Sequence, residues 1–251
     1  MYEPRTYRNL VKEQDLVAFT VQVEESDLYI RARRNLSEEA AAALRELRSS
    51  LESYIAEHPR FKSSLKPLKV AVDASPIVRT MAAAAAKAGV GPMAAVAGAV
   101  AEAVGRELLR YSPEVIVENG GDIFLIVRSR REVMICAGNS PLSKRVFIEV
   151  RPERTFLGVC TSSGTVGHSL SLGCADAVTV LSVSTALADA AATAIGNIVK
   201  TDSDIPRGLD FGKGIPGVEG IIIIVGERMG VWGDVVLSEG PVGCLSASRK
   251  V

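Results

Sequence analysis

The chain contains 251 residues, and a composition of 47% hydrophobic and 23% charged residues is typical of a folded globular protein rather than a disordered one. Its 29 basic residues balance 29 acidic ones, which excludes a nucleic-acid-binding or membrane-surface protein that relies on bulk charge. Aromatic residues make up only 5%, while alanine runs and 22 glycines are frequent, so we expect close backbone packing. The length predicts a single domain over residues 1–251.

The N-terminal region, MYEPRTYRNLVKEQD, is charged and lacks the apolar segment of a secretory signal, which predicts a cytoplasmic protein without a membrane partner. The four cysteines show neither a CxxC pair nor zinc-ligand spacing. The Ala-rich stretch from Met81 to Ala101 is interrupted at residues 89–92, so it predicts a helical hairpin rather than a membrane span.

The first predicted elements are a strand hairpin and a helix. Residues 16–32 alternate apolar and polar side chains on both sides of a turn at residues 24–27. Leucine and isoleucine at positions 44, 47, 51 and 55 recur at helical spacing, with Ser37 as the expected N-cap and Pro59 after the end.

Two Ala-rich helices and a group of short strands follow. Pro76 begins a helix that we expect to run through Lys87, and Pro92 begins another that reaches Arg110. Short runs rich in β-branched residues then predict strands at 114–118, 123–128, 132–137, 146–150, 155–161 and 177–184.

The C-terminal part continues with a predicted helix from Ala186 to Lys200 and a polar loop at residues 201–216. Residues 220–225 form the most apolar strand, which we expect to be central in its sheet, and a turn at 227–230 leads into a strand at 231–236. Because strands and helices are partly segregated, we predict an α+β fold in which mixed or antiparallel sheets pack with the Ala-rich helices.

A four-residue motif lies between two of the predicted strands: Asn119-Gly120-Gly121-Asp122. Asn-Gly is a hairpin signal by itself. A pair of glycines at a strand end also allows backbone N–H groups to reach a ligand, with Asp122 placed to accept from a hydroxyl or a ring nitrogen. The motif is therefore either a plain turn or part of a cofactor-binding site.

A hydroxyl-rich segment follows the strand TFLGVC: Thr161-Ser162-Ser163-Gly164-Thr165. Hydroxyls and a glycine at the end of a strand can bind phosphate oxygens, and the alternative is a solvated loop. His168 in the same loop and Asp176 after it are the candidate general bases for catalysis.

Asp189 and Thr193 are four residues apart on a predicted helix, so their oxygens lie on the same side. The residues between them are all alanine, which leaves room for a bulky ligand. A carboxylate and a hydroxyl are hard-oxygen ligands of the kind that Mg²⁺ accepts, with phosphates and water as further ligands. The alternative is that Asp189 caps its own helix near its start.

Taken in order, the strings NGGD, TSSG, AVTV and ADAAAT resemble the ApbE superfamily, whose best-known members are FAD:protein FMN transferases. The strings PMAAVAGA, ENGGD, TSSGTVG and LADAAATAIGN resemble a shorter, cytosolic branch of that superfamily. The resemblance covers residues 89–230 and implies an ApbE-like fold. It also implies a cleft for FAD or a related dinucleotide at residues 119–122 and 162–165, with Mg²⁺ on Asp189 and Thr193.

The sequence departs from the transferases in two places. Their H-I-x-D-P-x-T-G segment has no counterpart in residues 165–177, where His168 is the one histidine. The lysine of their G-x-A-K-G-Y-A-V-D helix is replaced by Ala97 or a neighbour. The resemblance therefore extends to the fold and a flavin-sized cleft, and it leaves the reaction open.

Two functions remain after this comparison of motifs. The first is Mg²⁺-dependent transfer of FMN from FAD to an acceptor protein, or hydrolysis of the FAD pyrophosphate. The alternative is a ligand-binding or accessory protein in sulfur assimilation, with which this branch is associated, and Cys174 is the residue that could serve sulfur chemistry. We also expect that the Ala-rich surfaces could form a homodimer.

Overall fold

The computed structural model describes residues 15–154, 156–164 and 173–238. The strands in these ranges are β1 (Val17–Val23), β2 (Ser26–Ala32), β3 (Val115–Asn119), β4 (Asp122–Ile126), β5 (Arg131–Met134), β6 (Phe147–Val150), β7 (Leu157–Ser162), β8 (Ala177–Ser182), β9 (Gly220–Val225), β10 (Arg228–Gly233) and β11 (Leu237–Ser238). The helices are α1 (Ser37–Glu57), α2 (Arg60–Ser63), α3 (Pro76–Ala88), α4 (Val96–Leu108), α5 (Thr185–Ile198) and α6 (Ile205–Lys213). Short 3-10 turns precede α4 at Pro92–Ala95 and α6 at Asp202–Asp204.

The strands form two antiparallel sheets. Eight of them make a large sheet in the order β1-β2-β3-β4-β7-β8-β9-β10, and a small sheet has the order β11-β6-β5. Since β5 and β6 leave the large sheet, β4 pairs directly with β7. This architecture confirms the predicted α+β fold.

The large sheet is buried on both faces. One face packs under the helices, where Val117, Phe124 and Val180 belong to the main hydrophobic core. The other face packs on the small sheet, where Val159 and Ile222 share a second core with residues of β6. Burial on both faces explains why β9 is a continuous apolar run instead of an alternating one.

The Ala-rich helices pack within the chain. The alanines of α3 and α5 are largely buried, and α4 crosses α5 so closely that a Cβ at Gly98 would lie 2.4 Å from the carbonyl oxygen of Thr185. The alanine faces that the sequence offered as a dimer surface are therefore covered by the chain's own elements. Whether the protein forms a homodimer stays a prediction.

Several elements differ from their predicted form. Ser37 is the first residue of α1 rather than its cap, and its N–H donates to the side chain of Asn35. The prediction of a polar loop at residues 201–216 is wrong, because most of this segment forms a 3-10 turn and α6. The strand at 220–225 is buried but second from the sheet edge rather than central.

An ion network connects the two sheets. Glu114, which is fully buried just before β3, accepts from Arg131 of β5 at 2.6 Å and from Arg33 at 2.8 Å. Arg131 also contacts both carboxylate oxygens of Asp15. The buried Glu114 charge is thus paired with Arg131 of the small sheet and with Arg33, which directly follows β2 of the large sheet.

No single helix in the described ranges is long and apolar enough to cross a membrane. The segments Pro76–Ala88 and Pro92–Leu108 pass that test of length and composition only as a pair, which is bent by 102°.

Candidate functional site

The antiparallel pairing of β3, β4, β7 and β8 brings the predicted motifs to one end of the large sheet. Asn119 pairs with Asp122 across the turn between β3 and β4, and Asp122 pairs with Cys160 of β7. Two residues further on, Ser162 pairs with Val178 at the start of β8. The NGGD and TSSG motifs are therefore neighbours in the structure, although about 40 residues separate them in sequence.

The NGGD motif forms a tight two-residue hairpin turn. Gly120 and Gly121 both adopt positive φ, at 66° and 103°, which favours glycine at these positions. The Gly121 N–H donates to the side chain of Glu118 at 2.9 Å. The hairpin interpretation is thus confirmed, and one of the amides that could have met a ligand has an internal partner.

Strand alternation separates the side chains of these motifs between two faces of the sheet. Asp122 and Cys160 lie on the face covered by the helices, with Phe124. Thr161 lies on the opposite face, where its hydroxyl is 2.9 Å from that of the buried Thr179. Ser162 returns to the helix-covered face by the same alternation, so it shares that face with Asp122.

Asp189 projects from α5 to the N-terminus of α4. Its Oδ2 accepts the N–H of Gly98 at 2.9 Å, and the neighbouring N–H of Ala97 also favours the charged carboxylate by lowering its pKa. The side chain of Asn119 donates to the carbonyl oxygen of Ala97 at 3.1 Å. Asp189 therefore caps a helix, as one interpretation of the sequence proposed, but the helix is α4 and not its own.

The capping between α4 and α5 is reciprocal. Glu102 of α4 accepts the N–H of Thr185, the first residue of α5, at 2.8 Å. Each helix thus offers a carboxylate to the other's free N–H groups and to the positive end of its dipole. The glycine at position 98 permits this crossing, since any Cβ there would also lie 2.8 Å from that of Asp189.

Asp122 and Asp189 make this end of the sheet strongly acidic in its interior. Burial raises the pKa of Asp189 from 3.8 to about 7, although the N–H groups of Gly98 and Ala97 act in the opposite direction. Burial also raises the pKa of Asp122 well above its usual value, and the nearby charge of Asp189 raises it further.

No lysine or arginine of the described residues forms an ion pair with Asp122 or Asp189. The thiol of Cys160 lies against Asp122, donates to the carbonyl oxygen of Thr185 at 3.3 Å, and has a pKa raised by burial. Among the described residues, the negative charges of these two carboxylates are therefore not compensated by a basic side chain.

The remaining predicted residues divide into two groups. Thr193 is half-buried one turn after Asp189, and Ser163 and Gly164 follow β7 at the same sheet end. Asp176 accepts the N–H of Gly226 at 2.8 Å, next to the turn between β9 and β10. Thr165 and His168 lie outside the described residues.

Cys174 is an exposed free thiol. Across ranges 15–154, 156–164 and 173–238, no group of three or more His, Cys, Asp or Glu side chains comes together as a metal site.

Sequence reasoning missed four partners of this site: Ala97, Gly98, Glu102 and Cys160. Strand pairing could have found Cys160, because a two-residue hairpin and an antiparallel neighbour place it opposite Asp122. The α4 contacts gave no such signal, since 91 residues separate Gly98 from Asp189.

Comparison with known proteins settles the family. The sequence model of the AbpE bacteria family matches residues 8–210. The chain belongs to this family. Among its relatives, a UPF0280 protein of Methanocella arvoryzae is 46% identical over 191 residues, which cover 74% of this chain and 76% of that protein. A UPF0280 protein of Methanococcus aeolicus is 39% identical over 216 residues, or 84% of each chain.

Solved structures of flavin transferases share the fold of this AbpE-family member. The apo form of the flavinyl transferase ApbE of Pseudomonas stutzeri matches with a TM-score of 0.54 at 16% identity, over 86% of this chain and 93% of that chain. The flavin transferase ApbE of Vibrio cholerae matches with a TM-score of 0.55 at 13% identity, over 86% and 96%. At these identities the likeness concerns the fold alone.

Proposed function

We propose that this protein is a Mg²⁺-dependent enzyme that binds FAD at the acidic end of the large sheet and transfers its FMN moiety to an acceptor hydroxyl. The observation that carries the proposal is the pair formed by the buried Asp122 and the half-buried Asp189, two carboxylates with raised pKa values and no basic partner among the described residues. Such a pair is favoured in its ionised form when a cation binds between or beside the carboxylates.

The donor set fits Mg²⁺. Asp189, Asp122 and the Thr193 hydroxyl offer oxygen ligands, and Mg²⁺ is commonly bound by one or two carboxylates together with substrate phosphates and water. The incomplete set of protein ligands therefore agrees with a metal that binds with its substrate. When bound, Mg²⁺ would neutralise charge on the pyrophosphate and favour departure of the leaving phosphate.

The chain's own residues would orient the substrate. The Gly98 N–H holds Oδ2 of Asp189, so the other oxygen can turn toward a ligand. Ser162 and Ser163 present hydroxyls at the same sheet end, where phosphate oxygens can accept from them. The N–H of Gly164 donates to the carbonyl oxygen of Ala175 at 2.9 Å, which fixes the backbone of this segment. The half-exposed Ala94 and Ala97 at the start of α4 leave space for a planar ring.

The reaction balances without a further co-reactant. The oxygen of an acceptor hydroxyl attacks the phosphorus of the FMN half, the phosphoanhydride bond breaks, and AMP leaves with the bonding electrons. The hydroxyl proton passes to a base, for which His168 and Asp176 remain the proposed residues. Water in place of the hydroxyl gives free FMN and AMP.

The first prediction concerns Asp189→Asn, which keeps an oxygen for the Gly98 N–H but removes the charge. We expect wild-type protein, incubated with FAD and Mg²⁺, to release AMP, and Asp189→Asn to lose at least 100-fold in rate. Asp210→Asn is the matched control, because Asp210 is an exposed aspartate of α6. Chromatography of AMP and of free or protein-bound FMN measures the reaction rate of wild type and of each variant.

Two results would contradict the proposal. One is that wild-type protein yields neither AMP nor FMN with Mg²⁺ and an acceptor-protein extract. The other is that Asp189→Asn and Asp210→Asn release AMP at the same rate.

A further inference from the structure

We infer that Asn119 is a positioning residue that fixes the carboxylate of Asp189 through the backbone at the start of α4. Asn119 was expected among the ligand-binding residues, but its side-chain amide donates to the carbonyl oxygen of Ala97 at 3.1 Å. The inference rests on the proposed function only where it concerns metal binding.

The start of α4 lacks a cap of its own. The N-cap residue is Ala95, which has no side-chain acceptor, and the residues before it form a 3-10 turn. The N–H of Gly98 is satisfied by Asp189 instead. The geometry of this first turn and the orientation of Asp189 therefore depend on each other.

Asn119 anchors that first turn from the opposite side. It is the last residue of β3 and is paired with Asp122 across the glycine turn, so its backbone is fixed by the large sheet. Its amide donates to the carbonyl oxygen of Ala97, which belongs to the same peptide group as the Gly98 N–H that donates to Asp189. The sheet thus sets the position of Asp189 through one peptide of α4.

The hydrogen bond to the carbonyl oxygen of Ala97 requires a hydrogen-bond donor at position 119 on a side chain as long as that of asparagine. Alanine would remove the hydrogen bond, and aspartate would place a carboxylate against the carbonyl oxygen of Ala97. In both variants the first turn of α4 is free to move away from β3. Asp189 would then keep its chemical identity but sample several orientations.

Amide hydrogen exchange in the metal-free, full-length protein tests the positioning directly. In Asn119→Ala we expect the Gly98 N–H to exchange at least tenfold faster than in wild type. Ser140→Ala is the matched control, because it removes another side-chain hydrogen bond to a backbone carbonyl, that of Gly226, far along the chain from α4. Unchanged exchange at Gly98 would overturn the inference.

Binding of Mn²⁺, used as a paramagnetic probe for Mg²⁺, tests the connection to the proposed site. We expect the Mn²⁺ dissociation constant to rise five- to tenfold in Asn119→Ala and further in Asn119→Asp, while Ser140→Ala binds like wild type. If Gly98 exchanges faster but wild type binds no Mn²⁺, the positioning role stands and the proposed function fails. If Mn²⁺ binds and Asn119→Ala leaves both readouts at wild-type values, the positioning role fails alone.

Discussion

Asp189 has two roles that favour opposite protonation states. As a cap of α4 it is stabilised as an anion by two N–H groups, whereas burial beside Asp122 favours the neutral acid. The raised pKa shows that burial prevails in the metal-free protein. A cation bound at the proposed site would reverse that balance, and it would then stabilise the folded protein.

The stability of the protein should therefore depend on pH at this residue. Because the pKa of Asp189 is about 7 in the folded protein and 3.8 in the unfolded chain, its contribution is fully present below pH 3.8 and is lost as pH rises through about 7. We expect Asp189→Asn to gain about 2–3 kcal/mol in unfolding free energy relative to wild type between pH 5 and pH 8, because each pH unit in this window below the folded pKa corresponds to about 1.4 kcal/mol.

Urea unfolding of both proteins at the two pH values measures this difference. Asp210→Asn, which alters an exposed carboxylate, should show no such change. A constant difference between Asp189→Asn and wild type across this range would show that the carboxyl of Asp189 ionises normally in the folded protein.

At the scale of single residues, sequence patterns identified Asp122 and Asp189 but not what surrounds them. The NGGD motif pointed to Asp122, the four-residue spacing to Thr193 pointed to Asp189, and the family resemblance agreed with both. The partners Gly98 and Glu102 carry no local signal. Their importance arises from a helix crossing, which only the three-dimensional structure defines.

At the scale of elements, the crossing of α4 and α5 is the structural basis of the site. Two carboxylates, Asp189 and Glu102, each satisfy an N–H at the start of the other helix. Such contacts require the two backbones to approach closely, and glycine at position 98 is what allows them to do so.

We expect Gly98→Ala to destabilise the protein by about 2 kcal/mol, since the added methyl overlaps Thr185 and overpacking of a core carries a penalty of this order. The sign of this change in unfolding free energy is informative, because replacing glycine by alanine inside a helix otherwise stabilises a protein by up to about 1 kcal/mol. Denaturant unfolding measures the change.

The matched control is Ala103→Gly on the same helix, which should lose about 1 kcal/mol from helix propensity alone. If Gly98→Ala proves as stable as wild type, the two helices are further apart than the structure shows.

Element prediction succeeded where periodicity was clear and failed where glycines interrupted it. The hairpin at 16–32 and the helices at Pro76 and Ala186 were confirmed within a few residues. The helix α6 was missed because Gly208 and Gly212 resemble a loop. Both glycines face the core, where a Cβ would come within 2.8 Å of Ile223 and 2.4 Å of Ile221. The capping box formed by Thr201 and Asp204 was the signal that could have identified this region.

At the scale of the whole molecule, the two sheets are joined by a buried charge network as well as by apolar packing. Glu114 has no exposed surface, and its charge is compensated by Arg131 of the small sheet and by Arg33, which directly follows β2 of the large sheet. Removing one partner of a buried pair is strongly destabilising, because the other charge stays buried.

We expect Arg131→Met to destabilise the protein by about 3 kcal/mol at pH 7. Arg130→Met is the control, because Arg130 is adjacent in sequence but exposed, and exposed pairs contribute roughly 0–1 kcal/mol. Guanidinium unfolding distinguishes the two. Equal stabilities of the two variants would mean that apolar contacts alone hold the small sheet in place.

The whole architecture was predictable only in outline. Segregated strands and helices indicated α+β, and the motif order indicated an ApbE-like arrangement, which the shared fold confirms. The division into two sheets was not predictable, because β5 and β6 have the same β-branched composition as their neighbours. What separates them is the long-range pairing of β4 with β7.

The contacts between α4 and α5 can form only late in synthesis of the chain, because the two helices are far apart in sequence. Strands β1 to β4 and helix α4 are complete by residue 126, but α5 begins only at Thr185. At a translation rate of roughly 5–20 residues per second, the intervening chain takes about 3–12 s to make. During that interval the side of α4 that packs on α5 lacks its cover, so we expect the nascent chain to be vulnerable to aggregation until the residues around Asp189 have been made.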